Sequence, residues 1–253
     1  MLNIVVDLDM ILYMNAVQSE QEIDWGEGIV TLHADADEII GKVKAHIEDI
    51  NKKITFKMKY EGYFNSVLCY SDSVNFRKQL YPLYKANRAN KRKPLGYYKA
   101  LETLKTMYDC VSYPSIEADD VIGIIATENM DNTVVVSLDK DFKTIPCTIY
   151  NFRDNTLYEV SEEEANFNFL VQTLTGDTAD NYCGCKGIGI KKATDALLKK
   201  PTWDTVVSLY EKQGFTEEDA IVQAQLAFIL QKDYYNKKRG EVKLWLPQSH
   251  LKN

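Results

Sequence analysis

Glu117, Asp119 and Asp120 put three carboxylates within four residues, and the apolar positions Val121, Ile124 and Ile125 follow them at helical spacing. A helix opening near Ser115 places Glu117 and Asp120 three apart on one face. On the plainer reading Ser115 caps that helix and the acids favour its positive end. Capping needs no third acid, however, and acids recur where strand-like runs end: Asp7 with Asp9, then Asp72, then Asp139 with Asp141. Asp177 and Asp180 follow Gly176, again three apart, the spacing of one helical face. Nine carboxylates (Asp7, Asp72, Glu117, Asp119, Asp120, Asp139, Asp141, Asp177, Asp180) gathered at one sheet edge would repel one another and hold protons tightly. Hard divalent cations relieve that repulsion, and all-oxygen donors suit Mg²⁺ or Mn²⁺. Two such ions about 4 Å apart activate a water and stabilise the leaving oxygen of a phosphodiester.

A second kind of chemistry lies in residues 76–99. This stretch holds eight Lys or Arg and no acid, in a chain whose formal charge is −7. Phe76, Tyr81, Tyr84, Tyr97 and Tyr98 are interleaved with Arg77, Lys78, Lys85, Arg88, Lys91, Arg92, Lys93 and Lys99. A solvated charge run mixes signs; a single-sign run with aromatics fits a surface that grips phosphates and stacks on bases. Pro82 and Pro94 predict a loop or a broken helix. Further on, Gly187-Ile188-Gly189 precedes Lys191 and Lys192, so exposed backbone amides at a helix start would make an anion site.

Elements must position these groups. Residues 2–8 read as a buried parallel strand with acid at its C-terminal end, the edge where open α/β sheets gather function. Residues 18–28 read as polar turn. From Asp35, with Glu38 as a capping-box partner, Ile39, Val43, Ile47 and Ile50 mark a surface helix, with His33 and His46 solvated. Strands are predicted over 64–70, 133–138 and 147–152, and helices over 97–108, 161–174, 202–212 and 216–233. Residues 241–246 read as a closing edge strand. The alternation predicts an α/β chain, three-layer α/β/α with a mostly parallel central sheet. The charge excludes a generally sticky nucleic-acid coat, so contact must come from local patches. The five cysteines are odd in number and lack zinc spacing, and read as reduced thiols. With no basic leader and no apolar run near ~20 residues, a membrane role is excluded and a cytoplasmic location is expected.

Taken in order, these motifs resemble the 5′-nucleases: flap endonucleases and the 5′-nuclease domains of bacterial DNA polymerases. The resemblance runs from the strand ending at Asp7, through Ser71-Asp72 and Asn75-Phe76-Arg77, to Tyr84-Lys85-Ala86-Asn87-Arg88. It continues through Glu117-Ala118-Asp119-Asp120, Asp139-Lys140-Asp141-Phe142, Gly176 to Asn181 and the glycine hairpin, and the wording is nearest to podophage 5′→3′ exonucleases. It implies a PIN-like fold with a helical arch or clamp and a C-terminal helix–hairpin–helix. By it Asp7, Asp72, Glu117, Asp119 and Asp120 match a first metal cluster, and Asp139, Asp141, Asp177 and Asp180 a second. Lys85 and Arg88 match basic residues at the scissile phosphate. Arg77, Tyr84, Lys91, Arg92 and Lys93 join the DNA surface, as do Gly187, Gly189, Lys191 and Lys192, and the hairpin carbonyls match a K⁺ site. The first strand reads Asp7-Leu8-Asp9 where the family often has a glycine after its aspartate, and the resemblance assigns Asp9 no role. The implied organisation is a nuclease core over 1–160, including a basic arch at 75–99, and a helix–hairpin–helix region over 161–253, packed as one unit. The implied activity is cleavage at 5′ ends or flaps of duplex DNA, or of RNA in a hybrid, by a monomer.

Two other readings compete. A haloacid-dehalogenase-type phosphatase also begins with strand-Asp-x-Asp, but leaves the basic stretch and the glycine hairpin unexplained. A non-catalytic DNA-end-binding protein needs no nine acids, which repel DNA unless metals sit among them.

Overall fold

The N-terminal apolar run becomes β1 (Leu2–Asp7) in the computed structural model, which describes residues 1–251. Asp7 ends the strand and caps α1 (Leu8–Ser19), its side chain accepting the Met10 N–H. The expected polar turn over 18–28 is instead the end of α1 and the start of a hairpin, β2 (Gln21–Asp24) with β3 (Val30–His33). In α2 (Ala36–Lys57), Asp35 caps the Asp37 N–H, while Glu38 turns to Lys42 at 2.6 Å instead of closing a capping box. His46 is not simply solvated: it contacts Asn15 Nδ2 at 3.3 Å and meets the Phe152 ring edge-on.

The chain continues through β4 (Phe64–Cys69), α3 (Arg77–Leu80), α4 (Tyr97–Met107), β5 (Asp109–Val111) and α5 (Ala118–Glu128). Then come β6 (Thr133–Val136), β7 (Cys147–Asn151), β8 (Thr156–Val160), α6 (Glu162–Thr175) and α7 (Ile190–Leu197). The last elements are α8 (Trp203–Lys212), α9 (Glu217–Ala227), β9 (Tyr235–Asn236) and β10 (Glu241–Val242). The main sheet has six strands in the order β5-β4-β1-β6-β7-β8, all parallel except β8 against β7. Residues 241–246 therefore do not close this sheet; β8 does, and β10 pairs only with β9 in a separate ribbon.

Successive residues of a strand face opposite ways, so the sheet feeds two cores. Ile4, Val6, Leu68, Val134 and Val136 pack under α1, α2 and α4. Val5, Val67, Val135 and Ile149 pack under α5 to α9, in one buried cluster that runs from Val5 to Tyr235. Each fully buried isoleucine of α2 (Ile39, Ile47, Ile50, Ile54), with Ile40 nearly so, stabilises by roughly 1.5–3 kcal/mol. The result is the three-layer α/β/α arrangement that the alternation of strand and helix predicts.

Ser115 does not start a helix. It stands in the left-handed region (φ +65°), with its N–H donating to Asp72, and α5 begins three residues later. Glu117 and Asp120 instead form a reciprocal capping box there.

Candidate active site

The parallel strands β1 and β6 release their chains at the same edge, and α5 points its N-terminus there. Between them lies a cleft of ≈ 770 Å³. Asp7 reaches it from the end of β1, Asp139 from just past β6, and Glu117 and Asp119 from the start of α5. Asp141, Asp177 and Asp180 complete the acid wall, so seven of the nine predicted acids face one space. Asp177 and Asp180 arrive by a turn, not by a shared helical face. The Asp177 carboxylate accepts the Ala179 N–H at 2.6 Å, and Asp177 bridges to Tyr182 across the turn. That turn is held by close backbone approach at Gly176 and Gly184, both at positive φ (+66° and +60°). A Cβ on Gly184 would run into the backbone of Gly176 and Leu174. Gly184→Ala is therefore expected to destabilise by at least about 1–3 kcal/mol, to be read as a lowered Tm; an unchanged Tm would show that the turn can give way.

Two predicted acids are elsewhere. Asp72 turns away to cap a loop, accepting the N–H groups of Ser73 and Ser115 at 2.7 Å each, and these bonds hold its pKa below the ordinary range against its partial burial. Asp120 is fully buried and takes both terminal nitrogens of Arg77, at 2.7 and 2.8 Å. Arg77 is thereby removed from the predicted DNA surface, being only 3 % exposed. For Asp120 the reason is that α3 packs inward, and a guanidinium buried there must be matched by a buried carboxylate.

Asp9, which had no role, lines the cleft; its oxygens accept the Ser71 N–H (3.0 Å) and the Tyr97 hydroxyl (3.1 Å). Glu20 is likewise unforeseen, and Tyr97 and Ser71, noted in the basic stretch and in the Ser71-Asp72 motif, take roles at the cleft that the sequence does not assign. Ser71 Oγ accepts the Ala118 N–H, and Glu20 holds Arg92 and the Leu95 N–H. The second acid after Asp7 was the signal for Asp9, and the aromatic interleaving of the basic stretch the signal for Tyr97; nothing pointed to Glu20.

The residues of 85–93 cross the mouth of the cleft. They form no helical arch: α3 is one turn long, and a 3₁₀ turn spans Ala86–Arg88 after Lys85 at φ +55°. The segment is stitched to the acid turn, Lys85 N–H to the Asp180 carbonyl at 2.8 Å and Asn181 Nδ2 to the Leu83 carbonyl at 2.7 Å. Lys85 pairs with Glu117 and, at 3.5 Å, with Asp180, while Arg88 meets Asp180 at 2.6 Å. Tyr84 does not present its ring to solvent; its buried hydroxyl lies 2.9 Å from Glu117 and 3.0 Å from Asp180, its one proton shared between the two acids. Arg92 is paired with Glu20, whereas Lys91 and Lys93 have no carboxylate partner among the described residues. Lys93 sits over the rings of Tyr97 (4.4 Å) and Tyr13 (5.6 Å).

This pairing divides the acids. Burial alone would raise Glu117, but Lys85 and Arg77 hold it down to about 2. Burial, then Asp139 and Asp177, pushes Asp141 up to about 7. Asp7 and Asp119 are pushed up as well, by burial first and then by neighbouring acids, Asp139 among them. Among the described residues no three His, Cys, Asp or Glu side chains are already drawn into a metal-binding group. The cleft's acids nonetheless offer oxygen donors, Asp7 buried, Asp119 and Asp141 half-buried and Asp139 exposed, none of these four in an ion pair among the described residues, which is the donor chemistry of a hard divalent ion.

The glycine turn lies outside the cleft. Gly187 carries the positive φ (+81°), while Gly189, at φ −88°, is an ordinary N-cap of α7. The Lys192 ammonium donates to the Gly187 carbonyl at 3.0 Å, and Lys191 is exposed.

Comparison with known proteins fits this geometry. The family model described as 5′-3′ exonuclease, N-terminal resolvase-like domain, matches residues 31–168. The exodeoxyribonuclease of Enterobacteria phage T3 is 32 % identical over 287 aligned residues, covering 97 % of this chain and 93 % of that protein. The exonuclease of Escherichia phage T7 is 32 % identical over 283, covering 96 % and 93 %. The crystal structure of the bacteriophage T5 flap endonuclease, in a pseudo-enzyme–product complex with DNA and metal ions, shares the fold. It aligns with a TM-score of 0.62 at 15 % identity over 92 % of this chain and 90 % of that one. A PIN-like α/β sheet with an acid-walled cleft at its C-terminal edge, and a family match over more than half its length, make this chain a nuclease of the 5′-3′ exonuclease family.

Proposed function

We propose that the chain hydrolyses phosphodiester bonds at 5′ ends or flaps of duplex DNA, 5′→3′, and accepts RNA paired to DNA. The carrying observation is one cleft in which raised, uncompensated acids (Asp7, Asp119, Asp141) face Lys85 and Arg88. The names of the T3 and T7 relatives, and the DNA and metal ions in the T5 complex, support it. Asp7, Glu117 and Asp119 would hold one divalent ion, Mg²⁺ or Mn²⁺, and Asp139, Asp141, Asp177 and Asp180 a second. Such ions supply an activated water and charge stabilisation at the leaving oxygen.

The chain's own residues do the rest. Lys85 and Arg88 exchange Glu117 and Asp180 for the oxygens of the scissile phosphate. Tyr84 keeps those two acids in register while the exchange occurs, and Lys91 and Lys93 guide the strand across the mouth. The turn at 187–192 contacts duplex phosphates away from the cut without reading bases. A K⁺ ion there would take the place of Lys192 Nζ at the Gly187 carbonyl. The shared buried cluster supports a core over 1–160 and a duplex-binding region over 161–253 that act as one unit.

The test is a duplex labelled at its 5′ end and internally, with and without a flap, incubated with Mg²⁺ and resolved by product length. No Mg²⁺-dependent product from either end would overturn the reading. Lys85→Ala should lower the single-turnover rate by about 10²-fold while weakening binding much less. An unchanged single-turnover rate with weaker binding would reduce Lys85 to backbone attraction.

A further inference from the structure

We infer that the C-terminal ribbon, β9 with β10, is a second phosphate-binding surface that holds the duplex backbone outside the catalytic cleft. The inference rests on the reading of the chain as a nuclease acting on duplex DNA. Residues 232–243 carry five Lys or Arg against two acids, a local charge of +3 in a chain of −7. They line a concavity of ≈ 650 Å³ separate from the acid cleft. Lys232, Lys238 and Lys243 are exposed and form no ion pair among the described residues. Lys237 is paired with Glu128 and Arg239 approaches Glu241, so these three lysines carry the unmatched charge that attracts an anion.

The ribbon has a fixed shape. The Asn236 side chain accepts the N–H groups of Lys238 (3.1 Å) and Arg239 (3.2 Å), and Gly240 turns at φ +68°. Tyr235 donates its hydroxyl to the Pro114 carbonyl at 3.0 Å, and the Lys232 N–H donates to Thr127 Oγ1 at 2.9 Å. Lys243 is steered by the Tyr234 ring, 5.7 Å from its centroid. These anchors seat the ribbon along α5, whose first turn carries Asp119 into the cleft and whose last turn holds Lys232 and Lys237. Eleven helical residues span about 16 Å. Asp119 and the lysines are thus set at a fixed separation by one rigid helix. A duplex seated at the cleft and running along α5 carries a charge every ~1.7 Å of its axis, and so offers phosphates over that distance. The contact has no base to read and adds affinity without sequence preference.

The experiment measures duplex binding against salt for the full chain carrying Asp119→Asn, which keeps the DNA intact. It compares that chain with one also carrying Lys232→Ala, Lys238→Ala and Lys243→Ala. Each lysine that meets a phosphate contributes a little under one to the slope of log affinity on log salt. The triple variant should lower the slope by about two to three and weaken binding at least about tenfold, and Lys→Arg at the same positions should restore both. In the otherwise wild-type chain, single-turnover cleavage at saturating enzyme should be unchanged. An unaltered slope and affinity would overturn the inference. So would a saturating rate that falls with the triple variant, which would put the ribbon at the chemistry. A wild-type chain that neither bound nor cleaved the duplex would overturn the parent reading instead.

Discussion

Asp119→Asn and Asp141→Asn should each lower Mg²⁺-supported cleavage by at least about 10²–10³-fold and raise the stability of the metal-free protein. The two effects have one cause. In the folded chain burial and neighbouring acids push both carboxyls up, Asp141 to about 7. A carboxyl whose folded pKa lies above its unfolded one binds more protons folded than unfolded in the window between, so stability falls as pH rises: from about 4 to about 7 for Asp141, and in the same direction for Asp119. Above that window the full cost is present, and an uncharged amide removes it. The metal-free Tm of Asp141→Asn should exceed wild type at pH 8 by at least about 3 °C, that of Asp119→Asn should shift in the same direction, and the Asp141→Asn difference should vanish near pH 4. DNA binding should survive, because removing a negative charge from the cleft cannot weaken its attraction for phosphate. Near wild-type cleavage by either variant in Mg²⁺ would sink the assignment. A lowered Tm would show that the acids are compensated by contacts within the protein.

Much of the site could be read from the chain because its groups stand at the ends of elements with strong patterns. β1 is buried on both faces, so residues 2–6 form a nearly continuous apolar run and Asp7 announces its end. The same holds for β6 and Asp139. α1 was hidden for the opposite reason. Leu8, Ile11, Leu12, Tyr13, Met14 and Val17 go round the helix and give no single face to count. Spacing also proved ambiguous. Three residues separate Asp177 from Asp180 on a helix and equally in a turn closed by the Asp177 side chain. Residue type cannot tell an acid that faces a cleft from one that faces a buried arginine. The capping-box pattern from Glu117 to Asp120 was present in the sequence and would have turned Asp120 inward. Nothing local identified Arg77 as its partner, since the contact crosses 43 positions from within the most basic stretch of the chain.

That buried pair carries the largest expected effect on stability. Arg77 is 3 % exposed and Asp120 0 %. Beyond its bidentate contact, the guanidinium donates to the carbonyls of Leu226 (3.1 Å) and Phe228 (2.6 Å). Asp120 accepts the N–H groups of Leu230 (3.0 Å) and Glu117 (3.2 Å). The pair thus joins α3, α5 and the chain beyond α9, with every polar atom answered. Asp120→Ala would leave a guanidinium buried with no counter-charge, at about 3–5 kcal/mol, or a Tm lower by roughly 6–20 °C at this chain length. Arg77→Met would strand the carboxylate at a similar cost, and would also release Glu117, which Arg77 approaches at 3.5 Å. Asp120→Ala is therefore the cleaner probe. Arg77→Met with Asp120→Leu removes both charges and should recover much of the loss, so the double-mutant cycle should show a coupling of at least about 1 kcal/mol. Cleavage per folded molecule, measured well below the lowered Tm, should stay far closer to wild type for Asp120→Ala than for Asp119→Asn. An Asp120→Ala protein of unchanged Tm that no longer cleaved would return Asp120 to the metal-binding set and make its contact with Arg77 incidental.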